Sequence, residues 1–506
     1  MNISGWISRR ADWSPAKVAV RFEGREITYP ELDAEIRRLA AMLDGALGVK
    51  SGDRVAHLGL NGPDLLALLF ACARLGAVLV PLNWRLAPPE HLYILQNCTP
   101  KALLVEPEFI AATNGIRKGL GGTRLVAYGP PQDDWLSYDA RMAAAGEDAS
   151  HPRAGSESAV MLVYTSGTTG RPKGAVLTQN ALFYNAVNAI SAQDITSADH
   201  VLTVLPMFHV GGMNIQTTPV LHAGGTVTIH RRFDPGATLA AVNDDRPTLF
   251  LSVPALIQAL ITHPAWATTD LASLRLVGTG SSTVPEALIR AWLDRDIPVT
   301  QIYGLTESGP VAICLPEADA VARIGSCGKP AMHCDARIAD DAGNDMPIGE
   351  TGEILLRGPN LLSHYWNDPA ATEAAFSDGW FHTGDVGHRD ADGYYYVDDR
   401  KKDVVISGGE NIYPAELENV LADCAEIVEF AVVGRLHEKW GEVAVACIVP
   451  RDGSALTPDD VKALFHDRLA RYKHPRDVVF MAELPRNVMG KVLKYELRKT
   501  LANPAD

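Results

Sequence analysis

Alternating strand and helix patterns restrict the possible folds of this sequence more than any other feature. Within the first 150 residues, an apolar strand pattern at 55–60 is followed by a helix pattern at 63–75 and a second strand at 77–81. A more regular alternation continues from 159 to about 330. This succession favours mostly parallel sheets with helices on their faces, so we expect an α/β fold.

The last hundred residues have patterns of their own. Strands are predicted at 427–433 and 443–449, and helices at 414–422 and 458–471, the second with Thr457 as its N-cap. The charged stretch 398–403 is predicted to be an exposed hinge. We therefore expect a large N-terminal domain of layered sheets with a β-barrel-like part at 1–399, and a small mobile α+β domain at 400–506.

Composition excludes several classes of protein. Among 506 residues, 61 acidic side chains outnumber 46 basic ones, which argues against nucleic acid as a partner. Seven scattered cysteines without a CxxC pair argue against a disulfide framework or a zinc site, and favour a reducing, cytoplasmic location. The apolar run 65–82 contains Arg74, Gly76 and Pro81, so we expect a buried helix and strand and no transmembrane segment. The first residues lack the apolar core of a signal peptide.

The stretch from Tyr164 to Gly174, YTSGTTGRPKG, predicts a phosphate-binding loop. Its glycines allow backbone N–H groups to point inward, its hydroxyls add donors, and its lysine adds a positive charge. The spacing differs from the GxxxxGK[ST] loop, and Pro172 opposes a helix directly after the loop. The predicted phosphate-binding residues are Thr165, Ser166, Gly167, Thr168, Thr169, Gly170 and Lys173.

Further motifs follow in order along the chain. They are PMFHV at 206–210, GTGSSTVP at 278–285, YGLTES at 303–308, GWFHTGD at 379–385 with Asp399 and Arg400, SGGENIYP at 407–414, and PRNVMGK at 485–491. Together with the loop, these motifs make essentially the whole chain resemble the adenylate-forming superfamily. That superfamily contains acyl-CoA synthetases, adenylation domains of nonribosomal peptide synthetases and firefly luciferase. One departure is Gly278-Thr279-Gly280-Ser281, where Gly-Gly-Ala is common in the family, so the pocket floor is expected to differ.

The resemblance implies a nucleotide site that holds ATP with Mg²⁺. Asp385 and Arg400 are expected to bind the ribose, and Glu307 is expected to hold the metal. Lys491 is expected to bridge the carboxylate and the α-phosphate. The residues expected near adenine and phosphate, besides those of the loop, are Gly280, Ser281, Tyr303, Gly304 and Thr306; the expected catalytic set is Lys491, Glu307, Thr165, Lys173 and His209.

The resemblance also implies an acyl pocket, a CoA site and a pivot at Lys402. Gly211 and Gly212 are expected to leave room for a chain or a ring, and His209 either acts chemically or only shapes the pocket. The stretch 468–499, with nine basic and three acidic residues, is either a dock for phosphorylated CoA or a solvated helical surface. The pocket candidates are His209, Val210, Gly211, Gly212, Met213, Thr279 and Gly304, and the CoA candidates are Gly408, Gly409, Lys473 and Arg476.

We therefore expect an ATP-dependent carboxylic acid–CoA ligase that uses ATP, Mg²⁺ and coenzyme A. A carboxylate would form an acyl-adenylate, and a thiol would then displace AMP. A fatty acid of medium to long chain is the first expectation, and a hydroxycinnamate or other aryl acid is the alternative. A non-catalytic nucleotide-binding protein on the same fold is the alternative from another class. A peptide-synthetase module is disfavoured because Phe208-His209 stands where an amino-anchoring aspartate is expected. Both monomer and homodimer remain open.

Overall fold

A computed structural model describes residues 2–130, 134–147, 152–165, 172–280, 284–407, 410–437, 440–466, 468–469, 471–486 and 492–502. The α-helices are Ser4–Trp13 (α1), Tyr29–Ala41 (α2), Pro63–Leu75 (α3), Pro88–Cys98 (α4), Ile110–Ile116 (α5), Tyr138–Ala144 (α6), Gln179–Ala192 (α7), Val210–Asn214 (α8), Thr217–Ala223 (α9), Pro235–Asp245 (α10), Pro254–Ile261 (α11), Glu286–Leu293 (α12), Pro369–Ala375 (α13), Pro414–Ala422 (α14), Pro458–Ala463 (α15) and Lys494–Ala502 (α16).

Strands alternate with these helices over most of the chain. The first are Val18–Phe22 (β1), Arg25–Thr28 (β2), Arg54–Leu58 (β3), Val78–Pro81 (β4), Ala102–Val105 (β5), Arg124–Ala127 (β6), Leu136–Ser137 (β7), Ala159–Thr165 (β8), Lys173–Thr178 (β9), His200–Thr203 (β10), Thr226–Ile229 (β11), Leu249–Ser252 (β12), Leu276–Gly280 (β13) and Val299–Tyr303 (β14). The others are Ile313–Cys314 (β15), Lys329–Pro330 (β16), Asp335–Ala339 (β17), Gly352–Arg357 (β18), His364–Tyr365 (β19), Phe376–Ser377 (β20), Trp380–Arg389 (β21), Tyr395–Arg400 (β22), Val405–Ser407 (β23), Glu410–Ile412 (β24), Ile427–His437 (β25), Gly441–Pro450 (β26) and Asp477–Phe480 (β27).

Contacts divide the chain into two compact units. The first comprises residues 1–284, 288–336 and 356–381, and the second comprises 285–287, 337–355 and 382–506. The predicted domain boundary between 399 and 400 stays a prediction.

Two large mixed sheets form the frame of the first unit. One runs β16-β15-β14-β13-β12-β10-β11-β1-β2, and its strands from β14 to β1 are parallel. The other runs β19-β9-β8-β4-β3-β5-β6-β7, with antiparallel pairing at β8, β9 and β19. The largest core cluster contains strand residues of both sheets together with residues of α1, α2 and α3. The predicted α/β fold with mostly parallel sheets is confirmed.

The apolar run 65–82 is a buried helix followed by a strand, as the sequence predicts. Helix α3 begins with Pro63 in its first turn, where a missing N–H costs little, and Gly76 ends it in the left-handed conformation at φ 76°. Strand β4 then pairs with β3 and β8 in the sheet interior, so all four of its residues are buried. In the described part of the chain, no helix is both long enough and apolar enough to cross a membrane.

The second unit contains a sheet of order β24-β23-β26-β25, with β27 paired to β26. Helix α15 begins as predicted, because Thr457 and Asp460 form a reciprocal capping box. The predicted end at Arg471 is wrong, since the α-helix stops at Ala463. The N–H groups of Leu464, Phe465 and His466 donate to carbonyls three residues back, so the chain tightens out of the α-helical pattern.

Candidate active site

The ends of the predicted phosphate loop lie opposite each other on two paired strands. Thr165 ends β8, Lys173 begins β9, and the two residues face each other across the antiparallel pair. The Thr165 Oγ1 atom lies 3.5 Å from the Lys173 carbonyl oxygen. A strand therefore follows the loop, in agreement with the effect expected of Pro172. The predicted residues Ser166, Gly167, Thr168, Thr169 and Gly170 lie outside the described residues.

Glu307, the predicted metal ligand, lies in a short 3₁₀ turn that follows β14. Tyr303 ends β14. The Leu305 N–H then donates a hydrogen bond of 2.9 Å to the Ser308 Oγ atom, and this bond stabilises the turn. Glu307 is 8% exposed and its neighbour Thr306 is also buried. A Cβ atom at Gly304 would lie 1.7 Å from the Pro310 carbonyl oxygen, so only glycine fits at this position.

One carboxylate oxygen of Glu307 is held by its neighbours. Tyr365 donates its hydroxyl to Oε1 at 2.9 Å, and the Thr165 hydroxyl lies 3.5 Å from the same atom. Among the described residues, no donor reaches Oε2. Within the same residues, no cluster of three or more His, Cys, Asp or Glu could hold a metal by itself. The arrangement fits an ion that takes one carboxylate oxygen and completes its shell from phosphates and water, as Mg²⁺ does.

The predicted ribose pair is a close ion pair in the second unit. Asp385 on β21 pairs with Arg400 on β22, and the Arg400 Nε atom lies 2.6 Å from Asp385 Oδ1. The Asp385 side chain is 5% exposed and that of Arg400 is 37% exposed. The structure thus brings these two predicted residues together and leaves the guanidinium partly accessible.

A buried carboxylate that the sequence analysis missed supports this pair. Glu353 accepts hydrogen bonds from the Gly384 N–H at 3.0 Å and from Lys401 Nζ at 3.0 Å, and it contacts His382 Nδ1 at 3.1 Å. Burial alone would raise the pKa of Glu353, but the hydrogen bonds from His382, Lys401 and Gly384 lower it overall. Glu353 therefore fixes the residues on both sides of the Asp385–Arg400 pair.

His209 precedes helix α8 and is a neutral imidazole. Its Nδ1 atom accepts a hydrogen bond from the Gly211 N–H at 3.0 Å, so the ring proton is on Nε2. Burial lowers the pKa of His209 to about 4. At neutral pH this side chain can donate from Nε2 but carries no charge.

The other predicted pocket residues are buried near this histidine or on strand β13. Val210 and Met213 in α8 and Thr279 on β13 are fully buried, and no described residue partners the Thr279 hydroxyl. The expectation that Gly212 leaves room for a ligand is wrong, because a Cβ atom there would lie 2.4 Å from the Pro206 carbonyl oxygen. The missing side chain accommodates the protein's own backbone.

The predicted CoA residues differ in their surroundings. The Lys473 ammonium donates to Glu416 at 2.6 Å, and the side chain is only 20% exposed. Arg476 is exposed, and Lys402, the predicted pivot, lies in an exposed turn after β22. Their roles stay predictions. The predicted Gly408, Gly409, Ser281 and Lys491 lie outside the described residues.

Tyr365 is the second functional candidate that the sequence analysis missed. It lies on β19, which pairs with β9, and its register partner is Ala175. The Lys173 Nζ atom is 5.5 Å from the centre of its ring. The only sequence signal is an aromatic pair, Tyr365-Trp366, after a loop, and that pattern is common in cores. Neither Tyr365 nor Glu353 carries a motif that marks it.

The sequence matches characterised proteins over nearly its full length. It is 50% identical over 503 residues to the indoleacetate–CoA ligase of Aromatoleum aromaticum, covering 99% of this chain and 98% of that protein. It is 42% identical over 497 residues to the feruloyl-CoA synthase of an Amycolatopsis species, covering 98% of each. It is 37% identical over 503 residues to the long-chain-fatty-acid–CoA ligase FadD13 of Mycobacterium tuberculosis, covering 98% of each.

Family models and solved structures agree with these relatives. A model described as AMP-binding enzyme matches residues 7–366, and a model described as AMP-binding enzyme C-terminal domain matches residues 416–491. The fold superposes on the crystal structure of ATP-bound MatB from Rhodopseudomonas palustris with a TM-score of 0.91, at 32% identity over 99% of each chain. The chain therefore belongs to the adenylate-forming superfamily of AMP-binding enzymes, in its AMP-forming acyl-CoA synthetase branch.

Proposed function

We propose that this enzyme activates an aryl-substituted carboxylic acid, of the arylacetic or hydroxycinnamic type, and transfers the acyl group to coenzyme A. The observation that carries this proposal is the 50% identity to an indoleacetate–CoA ligase over almost the whole length of both chains. The feruloyl-CoA synthase at 42% is also named for an aryl acid, whereas the long-chain-fatty-acid ligase is at 37%. The order of our first two expectations is thereby reversed.

In the first half-reaction the acid's carboxylate would attack the α-phosphate of ATP and release pyrophosphate. Because two anions meet, the transition state needs cations and fixed donors around the phosphates. We assign Thr165, Lys173 and the loop between them to the β- and γ-phosphates. Glu307 would hold Mg²⁺ through Oε2, and the ion would neutralise phosphate charge. Lys491 would bridge the carboxylate and the α-phosphate.

The adenosine part of the same nucleotide would use Tyr303, Asp385 and Arg400. Tyr303 offers a flat face for the adenine ring. Asp385 would accept hydrogen bonds from the ribose hydroxyls, and Arg400 would donate to the same sugar. The existing Asp385–Arg400 contact of 2.6 Å supports this assignment, because it orients the carboxylate before ATP arrives.

His209 would orient the acid and would not act as a base. Its pKa of about 4 leaves it neutral, and its Nδ1 lone pair is already used by the Gly211 N–H. The remaining Nε2–H can donate to an oxygen of the bound acid. In the second half-reaction the thiol of CoA would attack the acyl-adenylate and release AMP, with Gly408 and Gly409 beside the pantetheine and Lys473 and Arg476 near the CoA phosphates.

A substrate panel tests the proposal directly. The purified enzyme is given ATP, Mg²⁺, CoA and one acid at a time: indole-3-acetate, ferulate, octanoate or hexadecanoate. AMP release and thioester formation are both measured, and kcat/KM is compared between acids. We expect the highest kcat/KM for one of the two aryl acids. A fatty acid with a higher kcat/KM than both would contradict the proposed substrate class while leaving the ligase assignment intact.

A further inference from the structure

Among the described residues, a buried side-chain oxygen beside the acyl-pocket candidates lacks a hydrogen-bond donor. Gln216 lies between α8 and α9 and is 1% exposed. Its Oε1 atom has no partner among the described residues. Although Gln216 occupies the N-cap position of α9, its side chain makes no capping hydrogen bond. Buried polar atoms are usually paired, so an orphaned acceptor at this position needs an explanation.

The orientation of this amide is fixed by a second glutamine. Gln193 donates its Nε2 hydrogens to the Ala189 and Ile215 carbonyl oxygens at 3.4 and 3.3 Å. Its Oε1 atom therefore points at Gln216 and accepts from Gln216 Nε2 at 2.8 Å. Turning the Gln216 amide over would place two oxygens against each other. The Oε1 atom of Gln216 must consequently point away from Gln193.

Gln216 lies beside Gly212 and beside β13, the strand that carries Thr279. Gln216 shares a crevice of about 10 Å³ with the pocket candidate Gly212, with Leu251 and with residues of β10. On the neighbouring strand, a Cβ atom at Gly278 would lie 3.3 Å from Gln216 Nε2, so the amide lies directly over the residue before Thr279. The crevice is also lined by the apolar Leu205 and by Thr203 and Thr217, whose hydroxyls bond each other at 2.8 Å.

We propose that Gln216 determines substrate specificity by accepting a hydrogen bond from an N–H or O–H group on the ring of the aryl acid. This inference rests on the proposed function. One unpaired acceptor beside paired hydroxyls and apolar side chains suits a flat aromatic body that carries one donor. A wholly apolar acid would leave the acceptor unpaired, and a site built to bond a donor discriminates against the analogue that lacks one. The acid is thus of the indolyl or phenolic type.

A double-mutant cycle between substrate and enzyme tests this role. Indole-3-acetate is compared with benzothiophene-3-acetate, in which sulfur replaces the N–H at nearly the same shape. Gln216→Met removes the acceptor with little change in volume, and Gln216→Leu repeats the test with a second apolar side chain. For each combination of enzyme and acid we measure kcat/KM and, without ATP, the Kd of the acid by calorimetry. Wild type is expected to favour indole-3-acetate by about 5- to 150-fold, and both variants are expected to lose this preference.

The outcomes separate the alternatives. If wild type has the same kcat/KM for both acids, or if the variants lower kcat/KM for both acids by the same factor, the inference is overturned. A bound water would then satisfy Oε1 of Gln216. If wild type binds and uses neither aromatic acid but does use a fatty acid, the proposed substrate class fails first. If the indole preference disappears in the folded variants while turnover of the benzothiophene acid is kept, the inference is supported.

Discussion

The hydroxyl of Tyr365 donates a hydrogen bond to Oε1 of Glu307 at 2.9 Å. Burial and the nearby Glu307 charge raise the pKa of Tyr365, so the hydroxyl keeps its proton and remains a donor. Because Oε1 already accepts this bond, Oε2 is the oxygen of Glu307 that we assign to the metal. Tyr365 is thus a positioning residue that acts through Glu307.

Removal of this hydroxyl should weaken the use of Mg²⁺. Tyr365→Phe keeps the ring near Lys173 and removes only the bond to Glu307. Hydrogen bonds to charged groups contribute about 1.5–3 kcal/mol, so we expect roughly a tenfold or larger rise in the Mg²⁺ concentration for half-maximal ATP–pyrophosphate exchange. Mn²⁺ binding with ATP, followed by electron paramagnetic resonance, gives the same comparison without turnover.

Tyr365→Leu is the matched variant, because it removes both the hydroxyl and the ring that lies 5.5 Å from Lys173 Nζ. We expect an additional loss in ATP affinity in this variant alone. A Tyr365→Phe enzyme with unchanged metal dependence and a uniformly lower kcat would show that the tyrosine has only a structural role.

Loss of the Asp385 carboxylate should raise the requirement for ATP. Asp385→Ala removes a charged acceptor, and it also leaves Arg400 without its 2.6 Å partner. We expect nucleotide binding to weaken by about 1.5–3 kcal/mol, measured as the Kd for ATP and as KM in the exchange reaction. Asp385→Asn keeps an acceptor of the same shape and should lose less. ATP binding at wild-type strength in Asp385→Ala would remove the ribose assignment.

The sequence predicts an element correctly where that element depends on residues close together along the chain. Helix α3 has the limits that the sequence predicts, because Pro63 and Gly76 mark its two ends. Thr165 and Lys173 were predicted together because both flank one loop. Helix α15 is shorter than predicted because apolar spacing continues past Ala463 while the hydrogen bonds tighten.

The sequence does not predict contacts between side chains that are far apart along the chain. Tyr365 is 58 residues from Glu307, and Gln216 is 23 residues from Gln193. A tyrosine or a glutamine in an apolar stretch carries no signal of its eventual partner. Only the packing of β19 against β9, or of α8 beside α7, brings such side chains together. The motifs therefore predict the residues that would contact ligands better than those that hold them in position.

Glu35, a half-buried acid in α2, should contribute to the pH dependence of stability. Burial, with a smaller contribution from Asp64, raises the pKa of Glu35 to about 7 in the folded protein, against about 4.5 in the unfolded chain. Between these values only the folded state holds the proton, so this group destabilises the fold progressively as the pH rises from about 4.5 to 7. Above pH 7 the full cost remains.

Glu35→Gln should remove that cost. We expect the variant to match wild type near pH 4.5 and to be more stable by about 1–3 kcal/mol at pH 8, measured by urea unfolding across this range. Glu350 is exposed, and Glu350→Gln is the control, which should follow the wild-type profile. A stability difference that is constant with pH would mean that Glu35 does not titrate between folded and unfolded states in this window.

Lys491 is assigned by the resemblance to the adenylation step alone. An ammonium is a compact donor suited to the charge that develops between a carboxylate and a phosphate. Removing one preorganised donor of this kind typically costs about 10²–10³ in rate.

Lys491→Ala should lose at least that factor in ATP–pyrophosphate exchange with the preferred acid. The same variant, given a preformed acyl-adenylate and CoA, should make the thioester at nearly the wild-type rate, because no carboxylate attacks a phosphate in that step. A lysine that only flanks the last helix, α16, would lower both half-reactions mildly and equally. Measuring the two half-reactions on one preparation therefore distinguishes a group that acts in adenylation from one that maintains the fold.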